Sequence, residues 1–167
     1  RSTSSAASDV YKRQVLQKRF IINLMSSRFH LAIPVKCIEE SKAFYCTFLG
    51  CEAGNCEEGK WQDINFWGNE LTLHNAQEEE LSASHRHHVD MADVCVPHFG
   101  IHLSDDDFQE VKQRIQDSEE HNFLDAPFLR FEGGYREQET FFIKDPSGNA
   151  IEIKTMKVPE SLWDTIS

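Results

Sequence analysis

The chain carries one arrangement twice, and that repetition limits the folds open to it. Phe29-His30-Leu31-Ala32-Ile33 aligns with Pro97-His98-Phe99-Gly100-Ile101, and Gly68-Asn69-Glu70-Leu71-Thr72-Leu73-His74 aligns with Gly148-Asn149-Ala150-Ile151-Glu152-Ile153-Lys154. One matched pair arises easily by chance. Two in register, each flanking a helical segment, mark an internal repeat. The second copy ends in the most distinctive stretch, DPSGNAIEIK (145–154). Asp145, Pro146, Ser147 and Gly148 have turn chemistry. Asn149 to Lys154 then alternates as a half-buried strand, with Ile151 and Ile153 on one face and Ala150 and Glu152 on the other.

Taken in order, Phe29 to Val35 predicts a strand. Glu39 to Leu49 predicts a short amphipathic helix with an acidic first turn, closed by Gly50. Cys51 to Cys56 predicts a weak strand. Lys60 to Trp67 alternates, with Ile64 and Phe66 on one face, and Glu70 to His74 follows a Gly68-Asn69 turn. The pattern restarts at Pro97 to Leu103. A helix then runs through Phe108, Val111 and Ile115, capped by Ser104, and strands follow over Asn122 to Phe131, Glu137 to Lys144 and Asn149 to Lys154. The expected fold is α+β, built from two paired βαβββ modules at about 28–75 and 97–156. Residues 76–96, polar, acidic and aperiodic, are expected to be a mobile or surface-draped linker.

At 167 residues the chain suits one domain, expected over 25–158, with 159–167 as a tail or short helix. Residues 1–24 lack the patterning that follows and read as a disordered or artefactual leader, with a transit peptide as the other option. The net charge of −11 argues against nucleic acid as a partner. No apolar run approaches the ~20 residues of a membrane span. The five cysteines form no CxxC pair, and no secretory h-region precedes them, which suits a reduced, cytoplasmic setting with organellar targeting as the other option.

If the modules pack as pseudo-symmetric halves, His30 and His98 occupy equivalent places, with Glu152 on the opposite edge of the same sheet. A lone histidine on a strand is more often a hydrogen-bonded core residue. Matched positions are what point these two toward a metal. Two imidazoles and a carboxylate make a divalent-metal set with positions left open for water or substrate. Thr72 stands where the first module would supply the counterpart of Glu152. Glu70 and His74 share its face, and His74 is the better donor for a fourth ligand. His102, two residues past His98, is a candidate substrate contact.

These motifs, HLAIPV, GNELTLH, HFGI and DPSGNAIEIK, resemble the vicinal oxygen chelate superfamily over about residues 28–156. That group includes glyoxalase I, extradiol dioxygenases, fosfomycin-resistance enzymes and bleomycin-resistance proteins. The resemblance implies that the modules curl into a cup-shaped, partly open eight-stranded sheet around a divalent metal ion (Fe, Zn, Ni or Mn). Glyoxalase I-like members place a Glu or Gln ligand near Thr72, so the remaining His, His, Glu set is closer to the dioxygenase and fosfomycin types. The implied chemistry is chelation of oxygens on a small, oxygen-rich substrate by a Lewis-acidic metal, in a glyoxalase-like lyase/isomerase or a dioxygenase. Arg130 would contact an anion, Phe128 would wall the cup, and Gln138 would offer a polar contact. Glu137 and Glu139 are candidate bases between which the sequence does not choose. The alternative is a bleomycin-resistance-type protein that sequesters a small molecule without catalysis. Homodimerisation is expected, because such cups are often completed across subunits.

Overall fold

Both copies of the repeat fold into a strand, a helix and three further strands. The computed structural model describes residues 27–81, 85–89 and 92–164; the leader expected at 1–24 and the end of the expected tail lie outside the described residues. Module one comprises β1 (His30–Val35), α1 (Ile38–Lys42), β2 (Glu52–Glu57), β3 (Trp61–Phe66) and β4 (Asn69–Asn75). Module two comprises β7 (Phe99–His102), α2 (Asp105–Gln116), β8 (Asp125–Arg130), β9 (Gln138–Lys144) and β10 (Ala150–Met156). Their sheets have matching orders, β1-β4-β3-β2 and β7-β10-β9-β8. In each, the first strand lies parallel to the last and the remaining pairings are antiparallel. The expected α+β class and module pattern are what the chain adopts. The eight strands form two separate four-stranded sheets within one chain, rather than a single continuous one.

Local sequence explains most of the elements. Ser104 caps α2, its hydroxyl accepting from the Asp107 amide at 3.2 Å, and Asp105 to Asp107 follow at the positive end of the helix dipole. Phe108, Val111 and Ile115, at helical spacing, are buried against the module-two sheet. The first helix departs from expectation. It is α-helical only to Lys42, and Ala43–Phe48 winds as a wider π turn. Neighbouring Phe44 and Tyr45 are both buried there, and Gly50 ends the segment at φ +84°, a value glycine tolerates.

One hydrophobic core serves both modules. Ile33, Val35, Ile64, Phe66, Leu71 and Leu73 from module one join Phe108, Val111, Phe141, Ile143, Ile151 and Ile153 from module two. The DPSGN turn adds a buried polar joint. Asp145 Oδ1 accepts from the amides of Ser147 (2.9 Å) and Asn149 (2.8 Å). Asp145 Oδ2 accepts from the Tyr45 hydroxyl (3.1 Å) and Asn149 Nδ2 (2.8 Å). Asn149 Nδ2 also donates to the Pro34 carbonyl at 3.0 Å, and Ser147 Oγ accepts from the Lys36 amide at 2.9 Å. The turn that launches β10 is therefore bonded to the end of β1 and to the segment that follows it.

The linker expectation needs correction. Within 76–96, Glu78–Glu80 forms a single 3-10 turn, and β5 (His85–Val89) pairs antiparallel with β6 (Ala92–Val96). Backbone pairing holds this hairpin even though its sequence lacks apolar alternation. Arg86 docks it on β8 through a 2.6 Å bond to Asp125 Oδ1. Strand β7 begins at Phe99, so His98 precedes it rather than lying in it. The tail turns once, as a 3-10 helix over Pro159–Trp163.

Candidate functional site

Strand alternation gives β10 two different faces. Ile151 and Ile153 enter the core, and Glu152 leaves the other side with Lys154. Cross-strand register extends that second face. Glu152 pairs with Phe142 on β9 and Gly100 on β7. Lys154 pairs with Thr140 and His102, Phe128 on β8 pairs with Thr140, and Arg130 pairs with Gln138. Directly paired residues share a face. Thus Arg130, Phe128, Gln138 and His102, the substrate contacts expected from sequence, all lie on the Glu152 side of module two.

His98 reaches this face from just before β7. Its Nε2 lies 3.4 Å from Glu152 Oε2. Its Nδ1 hydrogen bonds the Cys95 carbonyl, and its ring meets Phe142 edge-on at 5.3 Å. Since a carbonyl only accepts, Nδ1 carries the hydrogen and Nε2 is the nitrogen turned to the carboxylate. Glu152 is buried; its Oε1 accepts from the Thr140 hydroxyl at 3.0 Å and its Oε2 from Lys154 Nζ at 2.8 Å. Burial alone would raise the Glu152 pKa, but hydrogen bonds from His98 and Lys154, the Lys154 charge and Thr140 outweigh it and bring it to about 2. The His98 pKa is raised in turn, chiefly by its bond to Glu152, with burial opposing. That of His102 is lowered by desolvation and by the neighbouring Lys154 charge.

Gly100 is required for this geometry. A Cβ there would lie 2.0 Å from the Glu152 carbonyl oxygen, so β7 can approach β10 this closely only without a side chain. A cleft of about 180 Å³ runs beside His98, between β1 and the starts of β7 and β10, with Leu31, Ile33, Pro97, Phe99 and Asn149 among its walls.

The first-module candidates sit elsewhere in the chain. His30 pairs with Glu70 across β1 and β4, its Nδ1 3.2 Å from Glu70 Oε2, and both side chains are more than half exposed. His74 is exposed, two residues beyond Thr72, which donates to Asp63 Oδ1 at 2.7 Å. Among the described residues, no three His, Cys, Asp or Glu side chains of one chain gather as a metal set. His98 and Glu152 come together, whereas His30 and His74 stay on module one. The two glutamates considered as bases are engaged: Glu139 pairs with Lys112 at 2.6 Å, and Glu137 accepts from the Gly133 amide at 2.6 Å. Lys154, Thr140 and the Cys95 carbonyl are site groups that sequence reasoning did not single out. Strand alternation alone places Lys154 on the Glu152 face, but nothing in the sequence marks the other two.

The model of the glyoxalase/bleomycin resistance protein/dioxygenase superfamily matches residues 28–153. The chain belongs to this superfamily. Among solved structures, a glyoxalase/bleomycin resistance protein/dioxygenase from Alicyclobacillus acidocaldarius is 30% identical, with 83% of this chain and 97% of that one covered at a TM-score of 0.65. A lactoylglutathione lyase from Agrobacterium tumefaciens shares the fold at 18% identity, covering 84% and 98% of the two chains at 0.55. So does a genomically encoded fosfomycin resistance protein from Listeria monocytogenes, at 15% identity, 82% and 98% coverage and 0.59. No curated protein matches the chain. The carboxylate of Glu152 and the imidazole of His98 are groups that this one chain brings into contact.

Proposed function

We propose that this superfamily member is a metal-dependent enzyme acting on a small, oxygen-rich molecule, as a glyoxalase-like lyase/isomerase or a dioxygenase. The observation that carries the reading is the His98–Glu152 pair. A buried carboxylate faces an imidazole nitrogen whose opposite nitrogen is held by a backbone carbonyl, the kind of bond that orients a metal-ligating histidine. This donor chemistry fits a divalent ion with His98 Nε2 and Glu152 as two of its ligands. His30, exposed on module one, suits a third ligand delivered from a second copy of the chain, since among the described residues it does not join His98 and Glu152 in a metal set. His74 is the candidate for a fourth.

When bound, the ion would supply Lewis-acid stabilisation of negative charge developing on substrate oxygens. The chain's own groups would do the rest. The Cys95 carbonyl fixes the orientation of His98, and Thr140 fixes the rotamer of Glu152. Phe142 and Phe128 would form apolar walls. Arg130, its guanidinium 5.3 Å from the Phe131 ring centroid, would meet an anionic group at the end of β8. Gln138 and His102 would offer polar contacts to substrate.

A second reading is a non-catalytic, bleomycin-resistance-type binder. It is favoured by Lys154, which already neutralises Glu152, and by Thr72, bonded to Asp63 where a further ligand would stand. Metal analysis of untagged protein decides between the two. Near one ion per chain, lost in His98→Ala and Glu152→Gln, supports the enzyme. Absence of metal after reconstitution with Fe, Zn, Ni and Mn supports the binder.

A further inference from the structure

Glu152 Oε2 is approached by two groups. Lys154 Nζ lies 2.8 Å away and His98 Nε2 3.4 Å away. The other oxygen, Oε1, is engaged by Thr140. The Lys154 and Glu152 side chains are only 18% and 8% exposed, so water screens their attraction weakly. The ammonium therefore sits on the oxygen that faces the imidazole, where a divalent ion held by both groups would have to bind.

Resting on the metal-site reading above, we propose that Lys154 is a displaceable internal counter-ion: its ammonium neutralises Glu152 in the metal-free protein, and a divalent ion must expel it to reach Oε2. A metal coordinates a carboxylate oxygen at about 2.0–2.2 Å, and an ammonium held on the same oxygen would be strongly repelled by it. Lysine suits the role because its charge rides on a flexible four-carbon stem, whereas a rigid guanidinium fork would stay on the carboxylate. Lys154 thus keeps a buried carboxylate paired before loading and lowers the apparent metal affinity of the site. A fixed structural ion pair would leave metal affinity independent of Lys154 and would keep its Nζ in place on loading.

The test uses the full chain freed of metal by chelation. Mn²⁺ is titrated calorimetrically into wild type, Lys154→Met and Glu152→Gln. Separately, wild type is reductively methylated with and without saturating Mn²⁺, and modification is read by mass spectrometry at Lys154 and at exposed Lys157 as reference. The expected result is Mn²⁺ binding about ten- to a hundredfold tighter in Lys154→Met, the equivalent of one lost charge-assisted bond. The metal-free variant should also melt lower than wild type and recover with Mn²⁺. In wild type, Mn²⁺ should raise methylation of Lys154 and leave Lys157 unchanged. Equal or weaker binding in Lys154→Met, or methylation of Lys154 unmoved by Mn²⁺ that does bind, overturns the counter-ion role and leaves the metal site standing. Mn²⁺ binding that is absent from wild type and Lys154→Met alike, or unaffected by Glu152→Gln, overturns the metal site and this role with it. Should Lys154→Met not fold, the methylation result on wild type decides alone.

Discussion

The Tyr45 hydroxyl donates to Asp145 Oδ2 at 3.1 Å, joining the helical segment of module one to the turn that launches the Glu152 strand of module two. Both residues are buried, and their environment is costly to ionise. The Tyr45 pKa is raised well above its usual value, first by burial and then by Asp145; that of Asp145 is also raised by burial, although hydrogen bonds from Asn149, Tyr45 and Ser147 oppose it. The joint therefore ties the phase of β10 to module one, and with it the position of the candidate site.

Removing one donor from this joint should cost less than removing the acceptor. Tyr45→Phe leaves Asp145 with its other donors and is expected to destabilise by about 1–2 kcal/mol. Asp145→Ala strands the Tyr45 hydroxyl and the amides of Ser147 and Asn149 and should cost about 3 kcal/mol or more. Urea unfolding of both single variants and the double variant measures the two costs and their coupling. Equal losses in the single variants would contradict the central place given to Asp145.

Gly100→Ala should disturb the site from the backbone side. The added Cβ would lie 2.0 Å from the Glu152 carbonyl oxygen, so β7 and β10 must part. A loss of about 2–3 kcal/mol is expected. Weaker metal binding should accompany it, because His98 enters on the chain just before β7. Denaturant titration and calorimetry read the two effects; unaltered stability would show that β7 shifts freely.

The metal-free protein should have a pH optimum of stability set by its paired site. The pKa of Glu152 falls from 4.5 to about 2 on folding, so its contribution is complete above pH 4.5 and is lost as pH falls from there toward 2. That contribution amounts to about 3 kcal/mol. The pKa of His98 is raised above 6.5, so its contribution is complete below pH 6.5 and disappears as pH rises through its folded value. Together they stabilise most between pH 4.5 and 6.5. Denaturation in chelator across pH 2–8 should show acid loss that is flattened in Glu152→Gln. An unchanged acid limb in that variant would contradict the depressed carboxylate.

Much of this architecture is legible in the chain because strand period and turn chemistry are local. The paired GN turns, the Ser104 cap and the alternation of Ile151 and Ile153 each report on a few neighbouring residues, and the elements form where they point. The β5–β6 hairpin is not legible, because its stability comes from backbone pairing and from Arg86 reaching Asp125, 39 residues away. Similarly, repeat symmetry equates His30 with His98 but carries no information on how the modules are turned toward each other. One chain joins His98 to Glu152 and leaves His30 with Glu70. Asp145 reads correctly as a turn residue, yet its buried bond to Tyr45 spans 100 residues and leaves no trace in local pattern.

The central claim is a metal site built from His98 and Glu152 of one chain and His30 of the partner subunit. It is tested most directly by mixing two inactive halves. His30→Ala and Glu152→Gln are purified separately, freed of metal, unfolded together, refolded and titrated with Mn²⁺. Each variant alone should lose tight binding, and the mixture should regain it at about one site in four, as random pairing in a two-fold dimer dictates. Full binding by His30→Ala alone, or no recovery on mixing, would contradict a site shared between subunits.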